Sequence, residues 1–180
     1  GGWLHTMGFH DLAGSAQVHL LGGTIALWGS CRIGPRIGRY DKLGRPRIIQ
    51  GHSLPLSVLG TFILWFGWFG FNIGSALTLA EGPGLARIAI NTHLGACSGA
   101  LCALAISWIR FRIPDLTMAL NGCLAGLVSI IACCDIVEPF AALSIGLAGG
   151  ALTAFSIPLL DRLRIHDPVG AVPVHGLAGI

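Results

Sequence analysis

Six apolar runs separated by polar loops leave this chain little choice of architecture. They are Leu12–Cys31, Leu54–Leu79, Ile88–Trp108, Leu116–Cys134, Ala141–Leu160 and a shorter Val169–Ile180. About 20 helical residues cross the ~30 Å hydrocarbon core of a bilayer, so five complete spans and a partial sixth are expected. Lipid offers backbone groups no water, which restricts such runs to helices. Only 11% of residues are charged, against about 25% in a soluble domain. The 27 glycines suit helices whose backbones approach closely. The expected fold class is an all-α membrane protein, a polytopic helical bundle. The second run is long, which favours a tilt or an extension beyond the membrane, and Pro55 lies near its start, where a helix tolerates it.

The loops alternate in charge. Arg32, Arg36, Arg39, Lys42, Arg45 and Arg47 follow the first run, Arg110 and Arg112 the third, and Arg162 and Arg164 the fifth. The other side carries only Arg87, together with Glu81, Asp135 and Glu138. Basic residues mark the cytoplasmic side, so the Arg32–Arg47 loop is expected inside a cell membrane, the inner one in a bacterium. This confinement to particular loops, rather than nucleic-acid binding, accounts for the net charge of +3. The loop also suits anionic lipid or a cytoplasmic protein partner.

Within the apolar runs one pattern occurs twice. Asp11, Gly14, Val18, His19 and Gly23 recur as Asp167, Gly170, Val174, His175 and Gly179. With the expected topology, Asp11 opens a helix at the outer face and Asp167 opens one at the inner face. Eight residues at 1.5 Å rise carry each His about 12 Å inward. The two imidazoles therefore approach the midplane of a ~30 Å core from opposite sides. Each Asp stands where it can cap free N–H groups and meet the positive end of a helix dipole. Inverted repeats with a site at their interface are a transporter pattern, and a buried ionisable residue in a membrane helix points to function.

Together these motifs carry a resemblance: D-x-A-G-S-x-x-V-H from Asp11, G-W-F-G-F-N-x-G-S over Gly67–Ser75, N-T-H at Asn91–His93, and His166-Asp167-Pro168 through Val174-His175-Gly176. The chain resembles the ammonium transporter (Amt/Rh/methylammonium permease) family over essentially its whole length. It looks like helices five to ten of an eleven-helix, inverted-repeat fold. The resemblance implies a homotrimer with one hydrophobic pore per protomer, passing ammonium or ammonia through a twin-His path. It implies that His19 and His175 line the pore, Phe71 gates it, and Ser75, Trp68 and Asp11 form the outer ammonium site and vestibule. It implies a nitrogen-regulatory protein as a possible cytoplasmic partner. A second gating Phe and a vestibule Trp would precede Gly1. Residues 1–180 thus read as one transmembrane domain, incomplete at both ends. Against the family pattern, Ile131 stands where Thr is frequent, Gln17 where an apolar residue is usual, and His166 where Asp is frequent.

Plainer readings stand beside these. His93 alone in an apolar helix is as readily a packing residue as a functional one. Phe71 alone would be core, and Ser75 alone a hydroxyl bonded to its own helix. His5, His10 and His52 fall in loops. Six cysteines lack paired metal-ligand spacing and read as small buried hydrophobes. No third ligand accompanies the two pore His, so neither a metal nor any other cofactor is expected. No nucleophile–base set is visible, so the chain is not read as an enzyme. The alternative function is an ammonium sensor, a module of a signalling protein that binds ammonium without substantial conduction.

Overall fold

The computed structural model describes residues 2–76 and 82–180. Glu81 and the expected end of the second span at Leu79 lie outside the described residues. Among these the chain is helical, with no strand beyond one isolated bridge between Tyr40 and Pro46. A short α1 (Trp3–Thr6) precedes a π-helical segment, Ser15–Leu20, that runs into α2 (Leu21–Ile33). Then come α3 (Leu54–Ser75), α4 (Gly82–Phe111), α5 (Leu116–Ile130), α6 (Pro139–Arg162) and a second π-helical segment, Val172–Leu177. Three helices, Leu54–Ser75, Gly84–Phe111 and Pro139–Arg162, are long and apolar enough to cross a membrane. The chain is a multi-pass membrane protein.

Local chemistry sets several helix starts. The Ser53 hydroxyl accepts the Leu56 N–H, and Pro55 occupies the first turn of α3. One Asp115 oxygen accepts the N–H groups of Thr117 and Met118 at the head of α5. The α6 helix opens on Pro139.

Helices α4, α5 and α6 form the packed centre. A Cβ on Gly99 would lie 2.3 Å from the Gly122 carbonyl oxygen, and one on Gly150 would lie 2.3 Å from that of Gly99. Lipid gives no hydrophobic drive between helices, so such close backbone contact supplies the dispersion energy that holds them. Leu127, Val128, Ile131 and Val174 fill the space where α5 meets the second π segment, and Trp68 reaches the same cluster from α3. On α3 itself only Thr61, Trp68 and Asn72 are buried.

Several boundaries differ from expectation: α4 begins at Gly82 rather than Ile88, the last segment spans Val172–Leu177 rather than Val169–Ile180, and two further differences have a local cause. The first helix starts at Ser15 rather than Leu12, because Gly14 turns left-handed at φ 101° and ψ 42°. The α5 helix stops at Ile130, short of Cys134. The chain there tightens into three-residue turns, with Ile131 N–H donating to the Val128 carbonyl and Cys133 N–H to that of Ile130. Carbonyls freed beyond this end are collected by Asn91, whose amide donates to Cys134 at 2.9 Å and Val137 at 2.8 Å.

Candidate functional site

Every element of the internal repeat has a structural use, the valine only in its second copy, where Val174 is buried in the core while Val18 is exposed. Asp11 accepts four backbone N–H groups: those of Gly14 and Ser15 on one oxygen, and those of Ala16 and Gln17 on the other, at 2.7–3.1 Å. Asp167 accepts two, from Ala171 at 3.0 Å and Val172 at 2.7 Å. Gly14 and Gly170 both take positive φ, 101° and 75°, and so fold each carboxylate back onto the helix start. Both helices then begin as π-helix: His19 N–H donates to the Gly14 carbonyl and Ala178 N–H to that of Pro173, each five residues back. Such wide turns are rare and concentrate at functional sites. The glycines that end the motif lie where the two segments touch. A Cβ on Gly23 would meet the Gly176 backbone, and one on Gly179 would lie 2.8 Å from Leu20 N.

The two histidines are in contact. His19 Nδ1 lies 2.9 Å from His175 Nδ1, the two rings meeting edge to edge with centroids 5.0 Å apart and planes within 14° of each other. One Nδ1 must donate and the other accept, so a neutral pair adopts complementary tautomers. Trp68 stacks on one face of His19 at 5.3 Å and 18°, and the Phe71 ring is steeply inclined to it at 6.0 Å. His19 Nε2 is buried and has no hydrogen-bond partner among the described residues. An unpaired buried nitrogen of this kind costs about 1–3 kcal/mol unless a partner visits it.

Toward the Asp11 end, Phe71 is 39% exposed. A cavity of about 680 Å³ is bordered by Ser75, one helical turn on from Phe71, and by Asp11, His10 and Gln17. The Ser75 hydroxyl donates to the Phe71 carbonyl at 2.9 Å, which leaves its oxygen lone pairs for another donor. His10, on the cavity border, pairs with Asp135 at 3.1 Å. The structure thus gathers His19, His175, Trp68 and Phe71 into one contact group and sets Asp11 and Ser75 at one end of it. His93 takes no part and is exposed, against Trp65 at 5.2 Å and beside Cys97 Sγ at 3.6 Å. Among the described residues, no three His, Cys, Asp or Glu side chains converge as a metal site would require.

Sequence reasoning assigned no role to Asn72 or Asn91, although both stand in its motifs. Each is fully buried; Asn72 donates to Thr92 Oγ1 at 2.9 Å and joins α3 to α4. An amide in an apolar membrane helix was the available signal, because only a hydrogen bond offsets its burial. Ser15 is a third such residue, its hydroxyl donating to the Val128 carbonyl at 3.0 Å.

Known proteins resemble this chain in sequence and in fold. Ammonium transporter Amt2 of Archaeoglobus fulgidus is 47% identical and ammonium transporter 1 member 4 of Arabidopsis thaliana 39% identical, matching 99% and 98% of this chain. The matched part is 40% and 38% of those relatives, so the chain spans about two fifths of their length. A solved Sensor Amt Protein, 39% identical, superposes with a TM-score of 0.95 over 99% of this chain and 44% of its own. Candida albicans Mep2, 31% identical, superposes at 0.88 over 99% of this chain and 39% of its own. The profile of the Ammonium Transporter Family matches residues 1–180, and the chain belongs to that family.

Proposed function

We propose that this chain carries the substrate path of a membrane transporter that moves ammonium nitrogen across the bilayer, with His19 and His175 lining the narrow part. One observation carries the reading: the Nδ1–Nδ1 contact of 2.9 Å, made inside an aromatic wall with His19 Nε2 unpartnered.

The physics favours a neutral species in that narrow part. A bare cation at the low-dielectric midplane costs several kcal/mol even after relaxation. Ammonia avoids this cost, and as a hydrogen-bond donor it matches an imidazole lone pair. Outside, the Phe71 ring and the Ser75 oxygen attract ammonium through cation–π and hydrogen-bond contacts, whereas Trp68, buried against His19, belongs to the narrow part rather than to the vestibule. The Asp11 oxygens are occupied by backbone N–H groups. Asp11 therefore acts on the cation through its negative potential and by holding the helix start, while Phe71 restricts entry. A proton removed at the vestibule can return on the far side, and the coupled imidazoles offer a separate relay for it. Family likeness supports a homotrimer with one path per protomer, a cell-membrane setting and a cytoplasmic regulatory protein as partner.

The test is methylammonium and potassium flux in vesicles holding the intact protein. His19→Leu and His175→Leu keep the bulk and remove the hydrogen-bonding nitrogens, so uptake should fall at least tenfold in each. A carboxylate at either position should admit charged species. Unchanged uptake and unchanged discrimination against potassium in both Leu variants would make the pair packing residues.

A sensor is the second reading, supported by the TM-score of 0.95 with the Sensor Amt Protein. A sensor would bind ammonium in the same vesicles with little flux.

A further inference from the structure

The loop between α2 and α3 is fastened to the base of the second repeat helix by a buried histidine. His166 is 6% exposed. Its Nδ1 accepts the backbone N–H of Arg36 at 3.2 Å, and its Nε2 lies 3.5 Å from Arg36 Nη2. A nitrogen that accepts must keep its lone pair, so the ring is neutral in this arrangement. The charged groups around it are Arg36 and Arg39 from the loop, Asp161 from α6 and the adjoining Asp167. Both carboxylates are already engaged: Arg39 pairs with Asp161, and Asp167 accepts the N–H groups of Ala171 and Val172.

We propose that His166 is a pH-sensitive latch, which when neutral holds the α2–α3 loop against the base of the helix carrying His175 and when protonated releases it. Protonation would turn Nδ1 into a donor facing the Arg36 N–H, itself a donor. It would also set a cation beside two guanidinium groups in a buried position, where charge is poorly solvated. Release is then the cheapest response. The neighbouring residue, Asp167, is the cap of the His175 helix, so the state of the loop is felt at the base of the pore element.

Burial, followed by Arg36 and Arg39, holds the His166 ring below the ordinary histidine range. The direction of the switch follows by linkage. A released ring titrates near an ordinary ~6.5, whereas the latched ring must be acidified further before it protonates. The latch is therefore fully closed above that range and is lost progressively as pH falls below it. This inference does not depend on what the pore conducts.

The experiment places a spin label on an unnatural side chain at Ile37, which is fully exposed and next to Arg36, in the intact protein in vesicles. Label mobility is followed from about pH 8 to about pH 4.5, a range that brackets an ordinary histidine. The parent should pass from restrained to mobile with a midpoint below ~6.5. His166→Asn, whose amide oxygen accepts the Arg36 N–H but does not titrate, should stay restrained throughout. Arg36→Gln removes one neighbouring cation and should raise the midpoint. The proposal is overturned by a flat parent profile, by a transition that persists in His166→Asn, or by an unmoved midpoint in Arg36→Gln. Uptake is not the readout, so loss of transport alone leaves the latch intact.

Discussion

Gly23 lies against Gly176 so closely that a methyl group added to Gly23 would fall 2.1 Å from the Gly176 nitrogen. Gly23 is one turn beyond His19, and Gly176 follows His175 directly. Backbone contact at this crossing is what brings the two imidazoles within hydrogen-bond distance.

Gly23→Ala should therefore force the helices apart and lower uptake at least tenfold, or prevent folding. Gly22→Ala meets nothing within 4 Å and serves as the control. Size-exclusion profiles and methylammonium flux of the two variants should diverge. Equal behaviour would show that the crossing tolerates an extra carbon.

Asp11 should matter more to stability than Asp167, because it accepts four N–H groups rather than two. Loss of an ordinary cap costs about 1 kcal/mol, and hydrogen bonds to a charged group about 1.5–3 kcal/mol. Asp11→Ala should lower the melting temperature more than Asp167→Ala. Asp11→Asn, which keeps one acceptor oxygen, should fall between parent and Asp11→Ala. If Asn and Ala at position 11 fold equally well and both abolish uptake, the charge rather than the cap is what transport needs.

Asn91→Ala should destabilise the α5–α6 turn, since the Cys134 and Val137 carbonyls both lose their donor. Stranding buried acceptors costs about 1–3 kcal/mol each when water does not reach them. Thermal unfolding should show the loss, and proteolysis should open first near Ile136. A melting temperature within a degree of the parent would mean that water replaces the amide.

Topology is open to direct measurement. A single cysteine at the exposed position Lys42, with the six native cysteines replaced, should resist an impermeant thiol reagent in intact cells and react in inverted vesicles. Labelling from outside only would exchange the roles of the Asp11 and Asp167 ends.

Three of the five expected complete spans and the contact between the two histidines were legible because they depend on patterns repeated along the chain; α5 falls short of spanning length. Hydrophobic run length marked α3, α4 and α6, and the twofold Asp-to-His spacing marked His19 and His175. Contacts set by distant pairing left no such trace. Arg39 and Asp161 are 122 positions apart and Arg36 and His166 are 130 apart. Their arginines therefore read only as an orientation signal. The early end of α5 at Ile130 was hidden as well, since apolar residues continue to Cys134 and only tertiary partners capture the freed carbonyls.

The wide helical turns that contain the two histidines also constrain how the chain can vary in length. Side chains on a regular helix advance about 100° per residue. Deleting one residue between Gly14 and His19, or between Gly170 and His175, would let that stretch relax to ordinary winding and swing the imidazole away from its partner. Loop segments accommodate insertions and deletions at little energetic cost. These two windows, only five residues apart from anchor to ring, behave as fixed-length spacers, and a frame-preserving codon loss in either would remove the histidine contact without touching a histidine.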